Sequence, residues 1–200
     1  MVSLQYNASI KDMPLMFPEM RKTAQLICEE KPLEEILSLS LEENIYQLEK
    51  EKRRRDVPLR MFKRLSNIDR PLVKVIAHGT AEEAKLVAFL AFTKADRLMF
   101  EYMREVYADK AKTGYDEITD MDFMHFIDRK TQDSDVVAGW SATTTKNVGS
   151  KIKSALCQAG LAKRSKAGLV ILKPLADDGL KSLLTEQDKI YARAMCLLED

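Results

Sequence analysis

The sequence predicts a mainly α protein: a multi-helix body followed by a C-terminal winged helix-turn-helix that carries one short β-hairpin. Three observations predict it. Leu, Ala, Glu, Lys and ten methionines dominate, while seven glycines and six prolines are few for 200 residues, a composition that favours helix. Capping signals recur at helical intervals along residues 18–130. After Thr131 the pattern shifts to short helix, break, longer helix and a β-branched apolar run. A hydrophobic fraction of 46% is enough for a core and argues against disorder.

Taken in order, Pro18 and Pro32 suit first-turn positions and predict helices near 18–30 and 32–39. Ser40 and Glu43 have capping-box spacing and predict the start of a further segment. Pro58 should interrupt that segment, because Val57 before it disfavours helical geometry, with Asp56 capping a fresh helix through Asn67. Asp69 before Pro71 predicts the next start, and Gly79 its end. Thr80 and Glu83 form another capping box for a helix from Ala81 to about Thr93, with Ala84, Val87, Ala88, Ala91 and Phe92 on its apolar side. Leu98, Met99, Tyr102, Met103 and Val106 keep core spacing on the following helix, which Gly114 ends. Thr119 opens a helix to about Lys130, with Met121, Met124 and Phe126 as core candidates. No strand is expected before residue 131.

Residues 133–140 predict a short helix capped by Asp133 or Ser134, and 141–144 a break. The helix expected at 144–159 places Val148, Ile152, Ala155, Leu156 and Ala159 on one buried face, with Gly160 as terminator. Strands near 161–164 and 169–172 form a hairpin around Ser165–Gly168. A tail, Asp177 to Asp200, carries Leu180, Leu183, Leu184, Ile190, Ala194 and Leu197 and is expected to pack back on the wing or body. The division is thus a helical body over 1–130, with a second helix-turn-helix conceivable near 32–66, and a winged unit with its tail over 131–200.

Charge is distributed unevenly. The chain carries +1 overall, yet Val136–Ala176 holds seven basic residues and no acid, leaving −6 for the remainder. Lys146, Asn147, Ser150, Lys153 and Ser154, with Lys151 at the flank, fall opposite the apolar stripe of the 144–159 helix, and Lys163, Arg164 and Lys166 fall near the hairpin tip. A basic surface gains affinity for duplex DNA by releasing counterions condensed on the phosphates, which an acid on the same face would oppose. Asn147 and the lysines near the helix start suit base edges in a major groove. A second cluster, residues 49–64, sets eight bases against three acids and adds Lys52, Arg53, Arg54, Arg55 and Arg60 as candidate DNA contacts. A salt-laced surface helix explains that cluster equally well.

Catalytic and cofactor signatures do not assemble. Cys28, Cys157 and Cys196 are scattered and His78 and His125 isolated, so no zinc spacing is present. Glu83-Ala84-Lys85 has a nuclease-like E-x-K spacing, but Thr80 and Glu83 account for it as a cap. Asp116, Glu117, Asp120 and Asp122 are explained by a loop and a helix N-terminus without a metal. No phosphate-binding or dinucleotide-binding glycine motif occurs. Cys157 reads as inert packing and Trp140 as an anchor for the short helix. The run Leu86–Phe92 is too short to span a bilayer, which needs roughly 20 residues. The expectation is a cytoplasmic, non-enzymatic protein with no catalytic residues, metal or cofactor.

Four stretches resemble the BrxA family of BREX bacteriophage-defence systems: YNAS at 6–9, LEENIYQ at 41–47, EEAKLVAFLAFTKADRLMFEYMREVY at 82–107, and 118–161 from ITDMDFMHF to SALCQAGL. The likeness spans most of the chain and rests on helix patterns. It implies an all-helical protein with a winged end that binds double-stranded DNA, within a multi-protein system that tells host from invading DNA by methylation. Other BREX proteins are then expected partners. The resemblance carries no catalytic residues. Against duplex binding of low sequence specificity stand two alternatives: an adaptor whose basic face docks an acidic protein, and an RNA-binding factor.

Overall fold

The structure, a computed structural model, describes residues 4–199. Twelve α-helices and three short strands follow one another along the described chain. They are α1 Phe17–Cys28, α2 Leu33–Glu42, α3 Glu51–Leu65, α4 Arg70–His78, α5 Ala81–Ala95, α6 Arg97–Tyr102 and α7 Asp109–Thr113; then β1 Glu117–Thr119, α8 Asp120–Asp133, α9 Asp135–Ala138 and α10 Ala142–Gln158; then β2 Ala162–Arg164, β3 Gly168–Ile171, α11 Asp178–Ser182 and α12 Glu186–Ala194. A single 3-10 turn, Ser9–Lys11, precedes them. A π-helical stretch, Met103–Ala108, joins α6 to α7 without a break. The mainly α class is as expected.

Helix α5 is the axis of the body. The capping box of Thr80 and Glu83 forms, and from Leu86 to Thr93 every side chain is buried. Its apolar residues therefore surround the helix rather than occupy one side, as a central helix requires. Each fully buried Leu, Val or Phe here contributes about 1.5–3 kcal/mol of transfer free energy. Helices α1, α3, α4 and α12 pack around it. The tail returns to the body, where Asp188 on α12 pairs with Lys94 on α5. Leu180, Ala194 and Leu197 are buried as expected, whereas Ile190 stays exposed.

Two helix boundaries differ from expectation, for one shared reason. Helix α3 runs unbroken through Pro58. A proline at that position lacks the N–H that would bond the carbonyl of Arg54 four residues back. Ser40 supplies the missing donor: its Oγ donates to the Arg54 carbonyl at 2.6 Å. Ser40 is accordingly buried inside α2 and is no N-cap, and Asp56 lies inside α3 and starts no helix. Residues 43–50 form a loop instead.

Two further expectations fail between residues 115 and 130. A strand occurs there, β1, antiparallel to β3 with Ile118 opposite Leu169. Helix α8 turns Phe123, Phe126 and Ile127 inward, while Met121 and Met124 are exposed. The start of α8 is set by the Thr119–Asp122 capping box, so the buried stripe follows from Phe123 rather than from the methionines.

The three strands form one antiparallel sheet in the order β1-β3-β2. The β1–β3 pairing joins residues 117–119 to 168–170, across the expected boundary at 130. Gly168 is required at this junction. Its φ is +150°, and a Cβ there would lie 2.2 Å from the Ile118 carbonyl oxygen. Among the described residues, no helix is long and apolar enough to cross a membrane.

Candidate nucleic-acid interface

Helix α10 is built as the sequence suggests. Ser141 caps it, accepting from the Thr144 N–H at 3.1 Å. Val148, Ile152, Ala155 and Leu156 are buried, and Gly160 ends the segment at φ +76°. Gly149 sets the approach of α10 to α8, since a Cβ would meet the Phe123 ring at 2.6 Å. The opposite face of α10 carries Lys146, Asn147 and Ser150, all exposed, and its first turn holds no acid. Lys151 is half-buried on the flank.

In the hairpin, Ser165 closes the turn by donating its N–H to the Gly168 carbonyl and accepting the Gly168 N–H on its Oγ. Lys163, Arg164 and Lys166 are exposed. Register separates the first two. Lys163 shares a cross-strand row with Val170 and Glu117, whereas Arg164 shares one with the buried Leu169 and Ile118. Consecutive residues on a strand face opposite sides. Lys163 therefore leaves the outer face of the sheet, and Arg164 leaves the edge on the side of α10. There it lies close enough to Cys157 to oppose the rise that burial causes in that thiol's pKa. A thiol so raised is a poor nucleophile, in keeping with a packing role.

The face is not free of acids in space. Strand β1 and the start of α8 bring Asp116, Glu117 and Asp120 beside the β2–β3 hairpin and α10. Asp120 forms an ion pair with Lys153, and Glu117 lies 3.5 Å from the Ser165 hydroxyl. The acid-free window along the chain thus does not carry over to the surface, because a strand from outside the window pairs into it. The only trace of that strand in the sequence is the short Glu117-Ile118-Thr119 alternation, which three residues cannot distinguish from a loop.

Three of the eight bases in the second cluster, Arg53, Arg54 and Arg64, are bonded within the fold. Arg54 Nε donates to the Leu48 carbonyl at 2.8 Å. Arg53 reaches the Asp12 carbonyl at 3.5 Å and the Met16 sulfur at 3.8 Å. Arg64 is interior at 3% exposure, donating to the carbonyls of Met13, Pro14 and Leu15, with Phe92 under its guanidinium at 4.3 Å. Lys52 and Arg55 are exposed. Arg60 is half-buried and lines a groove of about 540 Å³ between α3 and the 9–13 segment, together with Lys52, Lys63, Asp12 and Asp56. The same N-terminal segment touches α10 through its 3-10 turn, so it lies between the two clusters.

A buried charge network ties α8 to α6 and to the π-helical stretch, and nothing in the sequence pattern announces it. Lys130 of α8, 5% exposed, pairs with Glu101 at 2.8 Å and Glu105 at 2.7 Å. Glu101 also accepts from Tyr6 at 2.5 Å and from Arg97 at 2.8 Å. Burial alone would raise the pKa of Glu101. The Lys130, Tyr6 and Arg97 donors outweigh it and hold the carboxyl below its ordinary value.

Among the described residues no three His, Cys, Asp or Glu side chains converge on a metal position. Asp122 is held by Lys110 at 2.7 Å, and Glu83 by its capping box.

The profile of the BrxA family matches residues 4–188. A protein of Bacillus cereus (strain H3081.97) described as "BREX protein BrxA" is 33% identical over 187 residues, covering 93% of this chain and 94% of its own. The crystal structure of an uncharacterized protein from Magnetospirillum magneticum has the same fold, with a TM-score of 0.80 over 96% of this chain and 98% of its own at 19% identity. By profile and by identity, the chain belongs to the BrxA family.

Proposed function

We propose that this protein binds double-stranded DNA without catalysing a reaction, through α10 and the β2–β3 hairpin. The single observation that carries the proposal is the exposed row of Lys146, Asn147 and Ser150 beside a hairpin tip bearing Lys163, Arg164 and Lys166. The order strand, helix, short helix, helix, hairpin, with the first strand completing the sheet, supports reading the unit as a winged helix-turn-helix. In such a unit the long helix enters the major groove and the hairpin tip tracks a flanking backbone. Ser150 and Asn147 are the polar groups on the outer face that suit base edges, and the rest are cations suited to phosphates. Binding is therefore driven mainly by phosphate contacts with low sequence specificity. Lys52, Arg55 and Arg60 extend the basic surface along the groove at α3. Family membership supports a role in bacteriophage defence and supports other BREX proteins as partners.

Fluorescence-anisotropy titration of a labelled duplex tests the proposal. The expected result is a Kd of about 1–100 μM near physiological salt, unaffected by replacing the duplex sequence. Preference for single-stranded RNA loops would favour the RNA alternative. Absence of duplex binding at low salt, with binding to an acidic partner protein that Lys163→Glu/Lys166→Glu abolishes, would favour the adaptor.

A further inference from the structure

We infer that Asp120 sets the affinity of the α10 face by holding Lys153 in the DNA-free protein, so that duplex phosphate must displace a carboxylate to gain this contact. The inference rests on the duplex-binding function proposed above. Asp120 opens α8 and pairs with Lys153 on α10, 33 residues away in sequence. The two side chains differ in access. That of Lys153 is 20% exposed and that of Asp120 is 76% exposed. A phosphate approaching Lys153 meets the carboxylate first. The two helices that carry the pair approach closely, since a Cβ at Gly149 on α10 would meet the Phe123 ring on α8. Asp122, two residues along, is not available for this role, because its carboxylate is engaged by Lys110 and by the Thr119 cap. Glu117 continues the acidic border at the wing, opposite Ser165.

Such a carboxylate stands where the duplex backbone would otherwise bind and repels DNA of any sequence. It lowers non-specific affinity without touching the outward row of Lys146, Asn147 and Ser150.

The test is a double-mutant cycle of Asp120→Asn and Lys153→Ala, read as duplex affinity by anisotropy across a salt series, with thermal melts to confirm folding. Asp120→Asn is expected to tighten binding about three- to fivefold at low salt and to steepen the log–log salt slope by about 0.9, the value of one added phosphate contact. In the Lys153→Ala background the same change should move affinity less than about twofold. Equal tightening in both backgrounds would overturn the inference, since general repulsion rather than release of Lys153 would explain it. No tightening in a protein that binds duplex would overturn it while leaving the proposed function intact. Failure of both wild type and Asp120→Asn to bind duplex would overturn both.

Discussion

The two basic clusters of this protein look alike on paper and are employed differently in the fold. Residues 49–64 carry the denser charge, yet Arg53, Arg54 and Arg64 direct their guanidinium groups at the backbone carbonyls of residues 12–15 and of Leu48. The α10–hairpin cluster has fewer cations, but Lys146, Lys163, Arg164 and Lys166 are exposed, and among the described residues Lys153 alone of the seven bases between Val136 and Ala176 pairs with an acid. Charge in the first cluster holds an N-terminal segment against α3, and charge in the second faces outward. Counting basic residues ranks the clusters in one order, and the bonds they make rank them in the other.

Arg64→Met should break this comparison most severely if it is wrong. The change removes the donor to three carbonyls and the cation over Phe92, and should cost about 3 kcal/mol in urea unfolding. Duplex affinity of the molecules that remain folded should not change. Loss of affinity at unchanged stability would move Arg64 to the interface.

Lys130→Met should cost a similar amount, about 3 kcal/mol, because Glu101 and Glu105 lose their shared buried partner. The wild-type network also predicts acid lability. The folded-state pKa of Glu101 is below its ordinary value of 4.5, and those of Asp188 and Asp122 are likewise lowered by Lys94 and Lys110 against the opposing effect of burial. The stability these groups contribute is complete above their unfolded values and is lost as pH falls through the folded ones. Urea midpoints should therefore drop below about pH 4.5. Asp96, raised by burial, works in the opposite sense, and its contribution grows on acidification. A midpoint flat from pH 6 to 3 would contradict the network's weight.

Gly149→Ala sharpens the second half of the comparison, since it tests the platform under α10 rather than its charges. Overpacking against the Phe123 ring should outweigh the gain in helix propensity and destabilise by about 1–2 kcal/mol. The smallest effect belongs to the first cluster. Ser40→Ala should cost about 1 kcal/mol by leaving the Arg54 carbonyl without its donor. Pro58→Ala in that background should recover part of the loss, because the new N–H reaches the same carbonyl.

The sequence made much of this legible where local chemistry decides. The Thr80–Glu83 and Thr119 caps, the α10 stripe from Val148 to Leu156, Gly160 and the hairpin are short-range signals, and each forms near its expected position. Long-range bonds were not legible. Pro58 reads as a break until Ser40, 18 residues earlier, supplies the bond that proline lacks. Met121 and Met124 read as core because the true stripe from Phe123 is set by packing against α10 and the body. The burial of Lys130 is not visible in the sequence because its partners, Glu101 and Glu105, lie on a different helix. Asp120 and Glu117 were visible as acids but not as neighbours of the basic face, since only the β1–β3 pairing puts them there.

The most direct measurement is the salt dependence of duplex affinity for wild type and for Lys163→Glu/Arg164→Glu/Lys166→Glu, by fluorescence anisotropy. A log–log slope near −5 is expected for wild type, from about five or six phosphate contacts. The variant should show a flatter slope and at least about tenfold weaker binding, with stability changed by no more than about 0.5 kcal/mol. Parallel slopes and equal affinities for the two proteins would overturn the proposed role of the hairpin and move the interface elsewhere.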